Sequence, residues 1–188
     1  VDTREAGDFA AGTIRGAWHV PLSGSFATWT GALLDLDKPV VVVADAGREE
    51  EATVRMARIG IDTVVGYLDG GFAAVADRAD AVQTSRNVDV ATLRQKIDAG
   101  EQLVVLDVRT PGEFEAGHID GAQHLPLIQL QSRWSEVPKD VPVYLICRSG
   151  HRSSTALSYL VQQGLDNLNN VLGGMSAWSE AGTACSNA

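Results

Sequence analysis

The chain has 188 residues, 45% of them hydrophobic and 21% charged, which is ordinary for a soluble globular protein and leaves room for one large domain or two of about 90 to 100 residues. No apolar run approaches the roughly 20 residues a helix needs to cross a bilayer, which argues against a membrane protein. A formal net charge of −9 without a Lys/Arg cluster argues against nucleic acid as a partner, so any anionic substrate has to be attracted locally.

The chain opens on "VDTREAGDF", with neither an initiator Met nor a basic-then-apolar signal segment, and reads as part of something longer. A motif-like stretch over 1–22 is followed by "HVPLSGSFATWTGALL", then by the apolar run "PVVVVA", a turn, and a helical pattern to Ile61. After "VVGYLDGGF" comes a polar stretch, "DRADAVQTSRN" (77–87), that reads as a linker. "VDVATLRQKIDAG" then has an N-cap at Asp89, apolar Val90, Leu93 and Ile97 at helical spacing, and a Gly stop. "QLVVLDV" and "PVYLIC" are continuous apolar runs that suit strands buried on both faces, separated by the motif "LDVRTPGEFEAGHIDGAQHLPL". "STALSYLVQQG" is helical, and "NVLGGMSAW" closes the pattern before a small, polar tail.

These pieces repeat. Residues 1–22 lie over 106–127 without a gap, matching Asp2 to Asp107, Arg4 to Arg109, Phe9 to Phe114, Gly12 to Gly117, His19 to His124 and Pro21 to Pro126. The segment 38–61 parallels 141–165, and "VVGYLDGGF" parallels "NVLGGMSAW". A period of about 105 residues means two tandem domains rather than a solenoid. The expected domains are 1–80, lacking its opening helix and most of its first strand, and 81–188. Apolar runs alternating with amphipathic segments predict an α/β fold in which a parallel sheet lies between helical layers.

The chemistry concentrates in "CRSGHR". Cys147 closes an apolar strand and opens a loop before a helix, the place where ligands meet open parallel sheets. Backbone N–H groups of a Gly-containing loop, the following helix N-terminus, and Arg148 and Arg152 all favour an anion, and such surroundings promote a reactive thiolate. Three readings compete: a buried structural thiol, a phosphatase nucleophile and a sulfur carrier. The arginines weigh against the first. Cysteine phosphatases place five residues between Cys and Arg to wrap a phosphoryl group, whereas four separate Cys147 from Arg152 and Ser153 occupies the phosphatase position. A shorter loop suits a sulfur carried on the cysteine. Cys185 lies in the polar tail, so a disulfide framework is not expected and a reducing cytoplasm is.

With "LDVRTPGEFEAGHIDGAQHLPL", "CRSGHR" and "VLGGMSAW" in this order, the sequence resembles the rhodanese superfamily over the whole second copy and, more weakly, the first. The resemblance implies two tandem rhodanese-like domains, each with a five-stranded parallel sheet flanked by helices. It also implies sulfurtransferase activity through a persulfide on Cys147, drawing sulfur from a small-molecule donor, thiosulfate or a glutathione-type persulfide, and passing it to a thiol or cyanide. Substrate would be held by Arg148, Ser149, Gly150, His151 and Arg152, with Asp107 and Arg109 as a supporting pair. His118 and Trp178 are expected to be structural. Mercaptopyruvate-type loops carry few arginines, so "CRSGHR" points to anionic donors. No cofactor or metal is expected.

The first copy has Ala44 and Asp45 where the cysteine belongs, a loop expected to be one residue shorter, and Glu49, Glu50 and Glu51 opposite Arg152, Ser153 and Ser154. Those carboxylates suit a helix N-terminus but repel an anion, so this copy is expected to be inactive. Its "HVPLSGSFATWTGALL" resembles the inactive domain in fusions of a metallo-β-lactamase-fold hydrolase with two rhodanese domains. That implies an N-terminal metal-dependent domain as partner, whose His-x-His-x-Asp-His motif does not occur in these residues. A rhodanese-fold phosphatase or arsenate reductase and a non-catalytic interaction module remain the alternatives.

Overall fold

The structure is a computed structural model that describes residues 1–188 apart from Leu36, Thr183, Ala184 and 186–188. The chain divides into two compact units, Val1–Ser85 and Arg86–Ala188. No helix among the described residues is long and apolar enough to cross a membrane.

The first unit contains α1 (Ala6–Ala11), β1 (Thr13–Ile14), α2 (Phe26–Leu33), β2 (Val40–Val42), α3 (Glu49–Ala57), β3 (Val64–Tyr67), a 3-10 turn over Gly71–Ala74, and β4 (Val82–Gln83). Strands β2 and β3 pair in parallel. Asp2 extends the pairing by single bridges to His19 on one side and Val43 on the other. The core gathers Val20, Leu22, Phe26, Val40, Val42, Ala52, Met56 and Ile61 between this sheet and α2 and α3. Period-two alternation turns Val41, Val65 and Tyr67 outward, where they are 49%, 69% and 54% exposed.

The second unit contains β5 (Arg86–Val88), α4 (Val90–Asp98), β6 (Val104–Asp107), α5 (Pro111–Glu115), β7 (Gln123–His124), α6 (Leu130–Arg133), β8 (Val143–Ile146), α7 (His151–Gln162), β9 (Leu168–Val171) and α8 (Gly174–Glu180). Its five strands form a parallel sheet in the order β5-β9-β8-β6-β7. The expected five-stranded α/β sheet is therefore present here, whereas among the described residues the first unit carries equivalents of β9, β8, β6 and β7 alone, the last two as single bridges.

Local chemistry explains several boundaries. Asp89 caps α4 by accepting the Thr92 N–H at 2.7 Å, and Val90 and Leu93 on the inward stripe pack with Tyr144, Val105 and Val171. In the first unit the residue equivalent to Tyr144 is the exposed Val41. Helix α5 starts on a capping box in which Thr110 and Glu113 bond reciprocally, with Pro111 in its first turn. Central β8 is buried at all four positions, as its unbroken apolar run requires in a sheet covered on both faces.

The stretch 77–87, expected as a linker, is ordered differently. Val82 and Gln83 pair antiparallel with Ile14 and Thr13, and 86–88 already form the edge strand of the second sheet. Polar composition does not reveal this, because the pairing is made by backbone groups.

Candidate active site

Cys147 follows directly on β8, and Gly150, three residues on, has φ +102° and forms the N-cap of α7. That left-handed turn folds the loop back on itself, so the Gly150 N–H donates to Cys147 Sγ at 3.1 Å. One turn into α7, the fully buried Ser153 donates its hydroxyl to the same sulfur at 3.4 Å. The sulfur thus receives two donors at the positive end of a 12-residue helix. Cys147 itself is 1% exposed, while Arg148 and Ser149 are exposed.

The loop is held from the other side by the "GG" of the closing motif. The N–H groups of Met175 and Ser176 donate to the carbonyls of Cys147 and Arg148 at 2.8 and 3.0 Å. Gly173 and Gly174 both have positive φ, +75° and +54°, which lets the start of α8 lie against the loop backbone. Trp178 is buried in the core with Met175, and its role is packing.

Asp107 and Arg109 form a pair beneath the sheet's carboxyl edge. Arg109 Nε and one terminal nitrogen bond both carboxylate oxygens at 2.7 to 3.0 Å, and that nitrogen also reaches the Gly117 carbonyl. The His124 Nε2–H donates to the Arg109 carbonyl at 2.9 Å, and Phe114 stacks on both His118 and His124. The first unit repeats the device: Arg4 forks onto Asp2 and bonds the Gly12 carbonyl, and His19 donates to the Arg4 carbonyl. The same lattice in both units accounts for the recurrence of Asp, Arg, Gly and His at these spacings in the sequence repeat.

Arg152 is placed differently from the expectation that it holds substrate. Its two terminal nitrogens donate to the two oxygens of Glu113 at 2.7 and 2.6 Å. Hydrogen bonding to Arg152, with a smaller contribution from Thr110, holds the Glu113 carboxyl down at about 2. Arg152 is raised in turn, chiefly by its hydrogen bonds to Glu113 and less strongly by its proximity to Cys147 and Asp107. The guanidinium of Arg148, in contrast, has no partner among the described residues. His151 opens α7 and is half-buried.

Two contacts at the candidate site are not apparent from sequence, those of Ser153 and Glu113. Ser153 stands out there only as the occupant of a phosphatase position, although a hydroxyl three residues after an N-cap glycine lies on the helix's first inward turn. Glu113 signals itself locally as a capping-box residue, which hides a partner 39 positions away.

In the first unit Ala44 stands in the place of Cys147, and the expected shorter loop is not found. Ala44 to Gly47 matches Cys147 to Gly150 residue for residue, and both glycines have positive φ. The missing residue falls in the helix instead, between Gly47 and Gly60 as against Gly150 and Gly164. Helix α3 begins with Glu49, Glu50 and Glu51, and Glu51 pairs with Arg48 and Arg55. No group of His, Cys, Asp and Glu among the described residues is arranged to hold a metal ion.

Comparison with known proteins agrees with this geometry. The model of the rhodanese-like domain matches residues 1–78 and again 89–181. A sulfurtransferase of Allochromatium vinosum is 41% identical over 95 residues, 50% of this chain and 89% of that protein. The thiosulfate sulfurtransferase GlpE of Pseudoalteromonas translucida is 32% identical over 96 residues, 51% of this chain and 90% of its own. A crystal structure of a rhodanese-related protein from Thermoplasma volcanium superposes with a TM-score of 0.50 at 35% identity, covering 54% of this chain and 97% of that one. Each of these relatives is matched by about half of the chain, as a tandem architecture requires, and with both halves matched the chain belongs to the rhodanese-like domain family.

Proposed function

We propose that the second unit is a sulfurtransferase that carries sulfane sulfur on Cys147. The observation that carries this reading is the convergence of the Gly150 N–H and the Ser153 hydroxyl on Cys147 Sγ at the N-terminus of α7. Donors so placed stabilise negative charge on sulfur, first as thiolate and then, one bond further out, as persulfide.

In the first half-reaction the Cys147 thiolate attacks the outer sulfur of the donor. With thiosulfate, the S–S bond to the sulfonate breaks, sulfite leaves with the electron pair, and Cys–S–S⁻ remains. With a glutathione-type persulfide the leaving group is the thiolate. In the second half-reaction an acceptor thiolate or cyanide attacks the terminal sulfur, giving a new persulfide or thiocyanate and restoring the Cys147 thiolate. Neither half consumes an oxidant or reductant, and two easier displacements replace one hard transfer. Arg148, with Ser149 beside it, is the exposed cation that receives an anionic donor, and His151 at the head of α7 adds a donor group.

The fork between Arg152 and Glu113 speaks against the phosphatase reading, because that guanidinium is already occupied by a carboxylate rather than turned toward a phosphoryl group. The first unit, with Ala44 at the position of the nucleophile, serves as a non-catalytic scaffold or docking module. A carrier that depends on a free thiol works best in a reducing compartment, which supports the cytoplasm as its location. The likeness of "HVPLSGSFATWTGALL" to fusion proteins supports a metallo-β-lactamase-fold domain as partner.

Intact mass spectrometry after incubation with thiosulfate tests the assignment. The protein is expected to gain one sulfur atom and Cys147→Ser none. A Cys147→Ser variant that still gains sulfur overturns it.

A further inference from the structure

Next to the cysteine loop lies an ion pair that the proposed reaction does not need. Glu113 accepts both terminal nitrogens of Arg152, and its Oε2 also accepts the N–H and the hydroxyl of Thr110 at 3.1 and 2.8 Å. The carboxylate is thus fixed from its own helix cap before it meets the arginine. The arginine comes from α7, the helix whose first turn holds Cys147 Sγ, and lies close enough to Cys147 to interact with it electrostatically. The pair is part-buried, with 17% of the Arg152 side chain and 32% of the Glu113 side chain exposed, so it is reachable by a ligand.

We infer that Glu113 is a specificity-determining, positioning residue that withholds Arg152 from doubly charged sulfur donors. The inference rests on the sulfurtransferase reading above and deepens it. A dianion such as thiosulfate is drawn to a bare guanidinium beside the nucleophile, because the planar fork matches its oxygens. Here the fork is filled by a carboxylate that stays ionised well below neutral pH, so the dianion meets a neutral pair and a repelling negative edge. A donor with a single charge at its sulfur loses less. Arg148, without a carboxylate partner, remains as the cation that orients the donor. Glu113 thereby shifts preference from thiosulfate toward low-molecular-weight persulfides. The first unit shows what the same two positions look like without this balance: Asp8 and Glu49 stand there, both acidic.

Glu113→Gln separates charge from scaffold, since Gln is equally suited to the third position of a capping box and keeps an oxygen for Arg152. In the intact chain, KM for thiosulfate is expected to fall about three- to tenfold with kcat changed less than about twofold, the size expected for removing one partly screened like charge. KM for an uncharged-tail alkyl persulfide is expected to stay within about twofold. In Glu113→Gln/Arg152→Ala the gain disappears, because the effect runs through Arg152. A merely structural role for Glu113 would lower kcat for both donors alike and leave no such split. Equal changes for both donors, an unchanged thiosulfate KM, or a gain that survives in the double variant overturns the inference. Thiosulfate binding by calorimetry in the Cys147→Ser background, where no sulfur moves, keeps the two ideas apart. If Glu113→Gln tightens that binding while the wild type accepts no sulfur, the reaction is wrong and the role of Glu113 stands; if binding is unchanged while Cys147 does accept sulfur, the reverse holds.

Discussion

Gly174 and Cys147 meet backbone to backbone: a Cβ built on Gly174 would fall on the Cys147 carbonyl oxygen and within 2.7 Å of the Arg148 carbonyl carbon and oxygen. Those atoms belong to the loop itself and cannot swing aside as a side chain can. With φ at +54°, any other residue at 174 is also strained in its own backbone. Gly174→Ala is therefore expected to destabilise the second unit by about 2 to 4 kcal/mol and to slow persulfide formation at Cys147. Gly71→Ala is the milder counterpart, since its Cβ would lie 3.0 Å from the Ala44 carbonyl. Urea unfolding of both variants, with intact mass after thiosulfate, reads the two effects; equal stability of Gly174→Ala and wild type would show that the contact is not tight.

Asp107 is fully buried, and its partner Arg109 is 7% exposed. Removing one charge of such a pair strands the other, at a cost of about 3 to 5 kcal/mol, although the pair itself stabilises the fold little against an apolar alternative. Asp107→Asn is expected to unfold at markedly lower urea concentration, and Asp2→Asn to do the same for the first unit. The two effects are expected to appear as separate transitions if the units unfold independently. A Cys147 persulfide that forms normally in folded Asp107→Asn would show that the pair supports the sheet edge and not the chemistry.

The repeat, the cap at Asp89, the apolar strands and the cysteine loop are legible in the sequence because each is a local pattern: period two, period 3.6, or a motif at fixed spacing. The fork between Glu113 and Arg152 is not, since no periodicity links residues on α5 and α7, and the capping box gives Glu113 a sufficient local reason to be there. The true site of the missing residue in the first unit is hidden likewise. Counting along the chain cannot say whether a loop or a helix has lost a residue, whereas the positive φ of Gly47 and Gly150 fixes it. The pairing of 82–83 with β1 leaves no sequence signal, because it spans only two residues and its partners are backbone groups.

Ser153 contributes one of the two donors on Cys147 Sγ. A hydrogen bond to a charged acceptor contributes about 1.5 to 3 kcal/mol, so Ser153→Ala is expected to slow alkylation of Cys147 by iodoacetamide at least several-fold at neutral pH. The Gly150 N–H remains, so some reactivity persists. A variant that alkylates at the wild-type rate would mean the hydroxyl points its proton elsewhere.

Installing the nucleophile in the first unit tests what else the site needs. Ala44 is buried, at 1% exposure, and occupies the place of Cys147, with Gly47 shaped like Gly150. The position of Ser153 is filled by Glu50, which is exposed, and the first turn of α3 carries three carboxylates. In an Ala44→Cys/Cys147→Ser chain, the new thiol is expected to take no sulfur from thiosulfate, because negative charge at the helix start opposes both thiolate and donor. Adding Glu49→Arg and Glu50→Ser should restore a detectable persulfide. Sulfur transfer to the introduced thiol without those changes would show that loop shape alone suffices.

Acid stability reports the Glu113 fork directly. The carboxyl's value is lowered from 4.5 to about 2, chiefly by its hydrogen bonds to Arg152, so the unfolded chain binds a proton at higher pH than the folded one. The stability this gives is complete above the unfolded value of 4.5 and is lost as pH falls toward about 2. Because the pair is partly open to solvent, its size is on the order of 1 kcal/mol rather than the full value of the shift. Urea midpoints between about pH 2.5 and 6 are expected to fall less steeply with acid in Glu113→Gln than in the wild type, with the two curves converging at the acid end. Arg152→Ala is expected to flatten the same limb, since without the guanidinium the carboxyl returns toward its ordinary range. Parallel curves for wild type and both variants would mean that the fork does not persist in solution, and the restraint it places on Arg152 beside the cysteine loop would go with it.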